Sequence, residues 1–303
     1  MALDTLLLGV LADPVDKGPL IWSAADRRLH NPRATIAYPV EDGIPVLLPG
    51  RAETLAQSTV EHIGDRAPRQ ALGAGSQNDT ATAASPYDGN AEWYDSAMRD
   101  PGVRGSLHDS AFRILEQLVG RGTGIALDIG CGTGIAASLL RDLGYRPIGL
   151  DYSADQLRIA HGRLPVAQAD AQRLPLASAS IPLAVSTFAF GDWADLADSV
   201  ADLYRALRPG GRFVDITVHP CFNGGFARTQ PDGSVLQSAG YGRQAYLAPD
   251  HFGSTIRSRV GAWHRPLYAI VNTFLSVGFQ LNRVIEDGPG DLPSILALSF
   301  VKP

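Results

Sequence analysis

Apolar and polar positions along this 303-residue chain follow two periods. Leu107, Ala111, Ile114, Leu115 and Leu118 repeat at helical spacing and stop before Gly120-Arg121-Gly122, which predicts a helix there. IALDIG (125–130) is the short apolar run of a buried strand; a glycine turn, a helix over 135–143 ended by Gly144 and a strand over 147–151 follow. Ser153 and Gln156 have the spacing of a capping box and open the next helix. Strands are expected near 166–169, 183–190 and 212–219, with Val200, Leu203, Tyr204 and Leu207 marking a helix between the last two. A helix over about 265–277 precedes FQLNRVIE (279–286) and SILALSFV (294–301), close enough in sequence to pair antiparallel. The alternation predicts an α/β fold, a doubly wound parallel sheet closed by a C-terminal hairpin.

One stretch breaks the pattern. Between Gly64 and Asn90 the chain is built from small and polar residues that cannot bury a face, so it reads as a flexible linker. The expected organisation is a small, mainly β domain (1–63), a linker (64–86) and a large domain (87–303). Composition narrows the partners. A net charge of −5 gives no general pull toward phosphate backbones or anionic lipid, so nucleic acid is disfavoured. Two cysteines, Cys131 and Cys221, are too few for a disulfide framework or a thiolate metal site, which fits a reducing cytoplasm. The segment MALDTLLLGVLADP carries Asp4 and lacks a basic start, unlike a signal peptide, and no apolar run is long enough to span a membrane.

The chemistry starts at ALDIGCGTG (126–134). Glycines at 130, 132 and 134, where a strand turns into a helix, let the backbone approach a ligand with helix N–H groups pointing at it. The turn alone also satisfies the G-x-G-x-x-A form of a dinucleotide site. Asp151, ending the second strand, can accept from both hydroxyls of a ribose, which suits NAD as well as S-adenosylmethionine. Asp170 in ADAQRLPL could accept from an adenine amino group. Together DIGCGTG, GLDYS, ADAQRLPL and ALRPGG stand in the order and spacing of class I S-adenosylmethionine-dependent methyltransferases, and residues 87–303 resemble the branch of that family acting mostly on small molecules. The resemblance implies a seven-stranded Rossmann-like sheet and S-adenosylmethionine as cofactor. It implies that Gly130, Cys131, Gly132 and Gly134 line the methionyl part, with Asp128 supporting the turn, and that Asp151 and Tyr152 hold ribose and adenine. Asp170 and Ala171 would read the adenine edge, and Thr187 and Phe188 would lie beside the sulfonium. YDGNAEWYD (87–95) looks like the family's lid, whose aromatics, Tyr94 among them, cover the cofactor. One departure stands out: Ile181-Pro182 replaces the usual acidic start of the fourth strand, so that strand is expected to begin later or sit differently.

Methyl transfer from a sulfonium depends chiefly on positioning, and a base helps only where the acceptor holds its proton tightly. STFAFGDW (186–193) stands where amino-methylating relatives carry an N/D-P-P-Y turn, which lowers the expectation of DNA, RNA or glutamine as acceptor. The catalytic candidates are His219 at the end of the fifth strand, His264 before the last helix, and Asp192, which could orient a substrate or cap the next helix; His251 lies in a loop. Residues 223–246, rich in glycine with interspersed aromatics, have the composition of a substrate-covering loop.

In the small domain, LADPVDKGPL and IAYPVEDGIPVLL resemble the zinc-ribbon-like activator subunits of tRNA- and translation-factor-modifying methyltransferases, with Asp13, Asp16 and Asn31 where metal-ligand cysteines often sit. No metal is expected, and the run GIPVLL offers a strand edge for packing on the catalytic domain. The reading is a methyltransferase acting on a small molecule, at a hydroxyl of a secondary metabolite or sugar, with an intramolecular contact between its domains and a homodimer left open. The alternatives are a tRNA or protein methyltransferase and, from another class, a cofactor-binding cyclase or regulatory module.

Overall fold

The structure, a computed structural model, describes residues 3–55, 84–99, 101–230, 232–252, 256–289 and 291–303. Most of the expected linker, 64–83, lies outside the described residues.

A short helix α1 (Thr5–Leu8) opens the small domain, capped by Asp4, whose carboxylate accepts from the N–H groups of Leu6 and Leu7. Strands β1 (Ile21–Ser23), β2 (Arg28–Asn31), β3 (Ile36–Glu41), β4 (Ile44–Pro45) and β5 (Glu53–Thr54) then form a small antiparallel sheet. Asp13 is buried among polar partners. Its carboxylate accepts from the N–H groups of Val15 (2.7 Å) and Asp16 (3.1 Å) on one oxygen, and from Asn31 Nδ2 (2.8 Å) and Tyr38 OH (3.2 Å) on the other. The Arg33 guanidinium pairs with Asp16 at 3.0 Å and covers Gly18, where a Cβ would overlap it. Asp13, Asp16 and Asn31 thus tie the segment around residue 13 to the β2–β3 region through hydrogen bonds and one guanidinium.

The large domain begins with helices α2 (Ala91–Arg99) and α3 (Pro101–Val119). Strands β6 (Ile125–Ile129), β7 (Arg146–Asp151), β8 (Val166–Gln168), β9 (Ile181–Thr187) and β10 (Leu207–Val218) alternate with α4 (Ala137–Asp142), α5 (Ala154–Ala160) and α6 (Leu196–Ala206). Two short ribbons follow, β11 (Ala227–Thr229) with β12 (Val235–Gln237), and β13 (Ala245–Leu247) with β14 (Ala262–His264); α7 (Arg257–Val260) precedes β14. Helix α8 (Leu267–Val277) and strands β15 (Gln280–Asp287) and β16 (Ile295–Val301) complete the chain. The sheet runs β15-β16-β10-β9-β6-β7-β8, parallel from β10 to β8 and antiparallel through the final hairpin. One face packs on Ile114, Leu115 and Leu140; the other on Leu203, Phe274 and Phe279.

The fourth strand departs from expectation. β9 begins at Ile181, paired with Leu207, and ends at Thr187 because Phe188 adopts a left-handed φ of 58°. Pro182 is tolerated there because the continuous ladders on both sides of β9 start at Leu183, so its missing N–H costs no ladder bond. The fifth strand, expected near 212–219, starts earlier: β10 runs from Leu207, with an irregularity in register between Leu207 and Arg212.

The small domain docks on the β8 edge of the sheet. Leu47 N–H donates to Gln168 O (2.8 Å), Ala12 N–H to Pro175 O (2.9 Å) and Ala177 N–H to Val10 O (2.9 Å). Leu7, Leu29, Tyr38 and Leu47 merge with Ala167, Leu174 and Leu176 into one core, and Lys17 Nζ pairs with Asp202 at 2.9 Å. The two domains therefore share a core.

Candidate functional site

At the carboxyl ends of β6, β7 and β9 the glycine turn shapes a small cavity. Gly130, Gly132 and Gly134 all have positive φ (69°, 53° and 77°), which an L side chain adopts only with strain. At Gly132 an added Cβ would stand 3.6 Å from Gln156 Oε1 and 4.0 Å from Tyr94, so this turn leaves backbone exposed to a ligand. Gly134 serves helix packing instead, since a Cβ there would press on Leu164 at 2.6 Å. The cavity, about 50 Å³, is lined by Tyr94, Asp128, Gly130, Cys131, Gly132, Thr187 and Phe188, all expected at the cofactor, together with residues of α3. Asp151 stands behind it; its two carboxylate oxygens accept from Gly132 N–H and Ser153 N–H, each at 2.8 Å. Tyr152, Asp170 and Ala171 lie outside this lining. The Tyr152 carbonyl accepts from Gln168 Nε2 (2.8 Å), and the Asp170 carboxylate accepts from Gln172 N–H (2.9 Å), capping a single turn that starts at Ala171.

The polar groups here are under-served. Burial and the neighbouring Asp151 charge push Asp128 up to about 7, and burial pushes Asp151 up to about 6. Thr187 Oγ1 and the Gln156 side-chain amide are buried with no hydrogen-bond partner among the described residues. Two carboxyls with no cationic partner among the described residues, an orphaned hydroxyl and an orphaned amide fit a ligand with positive charge and hydroxyl groups, as S-adenosylmethionine has. Burial lifts the Cys131 thiol well above its ordinary value, so it stays protonated and acts as packing against Gly149.

A second cavity, about 640 Å³, opens directly beyond the first, and Tyr94, Met98, His108 and Phe188 line both. Part of its lining comes from the segment expected to cover substrate, with Phe226, Ala227 and Arg228 among the residues, and Leu247 at the end of β13 adds to it. The lid region bridges the walls. Tyr87 OH donates to Asp192 (3.1 Å), Gly89 N–H to Asp155 (2.6 Å) and Ser153 Oγ to Asp88 (2.6 Å), while Arg259 lies 4.2 Å from the Trp93 ring centre.

The three catalytic candidates separate. His264 lines the large cavity; its Nε2 donates to the Tyr241 carbonyl (2.8 Å), which leaves the lone pair on Nδ1, and burial lowers its pKa, so it is neutral. His219 is buried elsewhere with both nitrogens in use: Nε2 meets Glu286 (2.6 Å) and Nδ1 accepts from Cys221 N–H (3.1 Å). It pins the loop after β10 to the final hairpin and is not part of the cavity lining. Asp192 pairs with Arg257 and holds Tyr87, so it supports the wall from behind; the cap of α6 is Asp195 instead. Sequence reasoning missed His108. It sits on α3, edge-on to Phe188 with ring centres 5.0 Å apart, at the junction of the cavities. Helical periodicity treats it as one more polar position.

Residues 127–215 match the family described as "Methyltransferase domain", and residues 4–43 match "Trm112p-like protein". A UPF0434 protein of Chelativorans sp. is 52% identical over 54 residues, 18% of this chain and 76% of that one. Malonyl-acyl-carrier-protein O-methyltransferase of Enterobacter lignolyticus is 41% identical over 106 residues, 34% of this chain and 42% of that one, so the match spans less than half of that enzyme. The crystal structure of an S-adenosylmethionine-dependent methyltransferase from Mesorhizobium loti superposes with a TM-score of 0.52 at 25% identity, covering 63% of this chain and 96% of that one. Fold and site define an S-adenosylmethionine-dependent methyltransferase. Its N-terminal domain is Trm112-like and belongs with the UPF0434 proteins.

Proposed function

We propose that this enzyme methylates an oxygen of a small molecule bound in the larger cavity. The observation that carries the proposal is the shared wall: the residues that close the glycine-turn cavity also open the larger, aromatic-lined one. Asp151, Asp128 and the Gly132 backbone are the groups positioned to hold the cofactor, which supplies a methyl group on a positively charged sulfur. The chain then has to aim the acceptor oxygen at that methyl between Tyr94, His108 and Phe188, exclude water with the lid, and take up the acceptor proton. His108 lines both cavities, and His264 offers a neutral ring nitrogen from the lining of the larger one. The O-methyltransferase among its relatives supports oxygen as the receiving atom.

A macromolecular acceptor is less well supported. The small domain docks on the β8 edge, and none of its described residues line the large cavity. Its part in this reading is structural, in cis.

Calorimetry tests the cofactor assignment: the full chain binds S-adenosylmethionine, and Asp151→Ala weakens binding by about tenfold or more, the scale of a lost charge-assisted hydrogen bond. Unchanged affinity in that variant overturns the assignment. Transfer of labelled methyl from S-adenosylmethionine to base-labile or hydroxyl-derived products in small-molecule extracts tests the acceptor class; label only in RNA or protein would overturn it.

A further inference from the structure

The larger cavity has a charge pattern that methyl transfer by itself does not require. Arg228, Arg257, Arg265, His108, His251 and His264 line it, and among the described residues no Asp or Glu does. Arg257 is answered from behind the wall by Asp192. Arg265 is not answered in this way. It is 6% exposed, and its guanidinium donates to the main-chain carbonyls of Phe190, Trp193 and Ala194, with no ion pair among the described residues. Asp195, whose charge reaches it, has its own carboxylate turned to Asp198 N–H (3.0 Å) at the start of α6. Burial lowers Arg265 only to about 10, so it keeps its charge at neutral pH.

Carbonyl dipoles solvate a buried guanidinium in part, but a full charge in an apolar wall is stabilised most by an opposite charge. The wall around it is aromatic: Phe190, Phe226 and Trp263 line the same space, and Arg265 stands 5.6 Å from the Trp263 ring centre. Resting on the reading of this cavity as the acceptor site, we infer that the acceptor is a small amphiphilic monoanion, an apolar or aromatic body bearing a carboxylate whose counter-charge is Arg265. One unanswered buried cation matches one negative charge. A dianion such as a phosphate monoester would bring a second charge with no buried partner, and an ammonium ligand would meet like charge from two arginines. Exposed Arg228, on β11 at the rim, adds attraction for an approaching anion.

The neutral counterpart of such a ligand leaves the guanidinium unpaired and loses far more than its shape would suggest. The test uses the full chain saturated with S-adenosylhomocysteine and a calorimetric panel: 3-phenylpropionate, 2-naphthoate and decanoate, each beside its primary amide and its amine. The expected result is that at least one acid binds about tenfold or more tighter than its amide, with no detectable binding of the amines. Arg265→Met should reduce the acid-to-amide ratio to about threefold or less, while Arg265→Lys retains most of it and both keep S-adenosylmethionine affinity. If the variants fail to fold, the wild-type ratio decides alone. Equal binding of acids and amides, preference for amines, or no acid bound below about 1 mM overturns the inference. Failure to bind S-adenosylhomocysteine overturns the cofactor reading instead, so the two failures are distinct.

Discussion

Asp128 and Asp151 are carboxyls that the fold raises above their unfolded values, Asp128 to about 7. A carboxyl shifted this way contributes stability that is fully present below its unfolded pKa, about 4, and lost as pH rises through about 7. The protein without cofactor should therefore lose stability across that window, and a cationic ligand should restore it. The rise in Tm caused by S-adenosylmethionine is expected to be larger at about pH 8 than at about pH 5.5, as read by thermal shift; equal shifts would mean these carboxyls do not meet the cofactor's charge. At the other cavity, His108→Ala should lower kcat by about tenfold to a hundredfold with little change in the KM for S-adenosylmethionine, and should flatten the acid limb of the pH–rate profile. An unaltered profile would assign the proton to His264. Residues of the cofactor loop were legible from sequence because a positive-φ turn after a buried strand demands glycine. His108 was not, because its role comes from where α3 crosses the mouth of β9, a tertiary fact without a local signature.

Among elements, the strands around the glycine turn were readable since parallel strands buried on both faces leave long apolar runs. The two ribbons, β11–β12 and β13–β14, were not: each of their strands is three residues long, too short for an alternating pattern to show. β9 starts earlier than expected: Ile181-Pro182, standing where the acidic pair is usual, is already part of the strand, and the continuous ladders on both sides begin at Leu183. The run ending in Val46 and Leu47 was readable as an edge seeking a partner, and the partner is β8. Leu47 is completely buried at that junction. Leu47→Ala should destabilise the whole chain by about 2–4 kcal/mol in urea unfolding, in one cooperative transition. A separate early transition of the small domain would show that the shared core does not couple the two.

For the molecule as a whole, the covering of β8 decides what each part needs. Removing residues 1–63 would strip Leu174 and Leu176 of their cover and leave Gln168 O and Pro175 O without their donors. A fragment spanning 84–303 is expected to be insoluble or to melt at least about 10 °C lower than the full chain; a soluble fragment of full activity would refute a stabilising role. Chelators should leave the melting temperature unchanged, because hydrogen bonds from Asn31 and Tyr38 to Asp13, and the Arg33–Asp16 pair, hold the small domain. The order of the domains along the chain adds a consequence in time. Synthesis delivers residues 3–55 before β8 exists, so the edge strand of the parallel sheet emerges from the ribosome after the segment that covers it. A sheet edge that never spends time open cannot recruit a neighbouring nascent chain, and the enzyme carries its own folding escort at a fixed ratio of one to one.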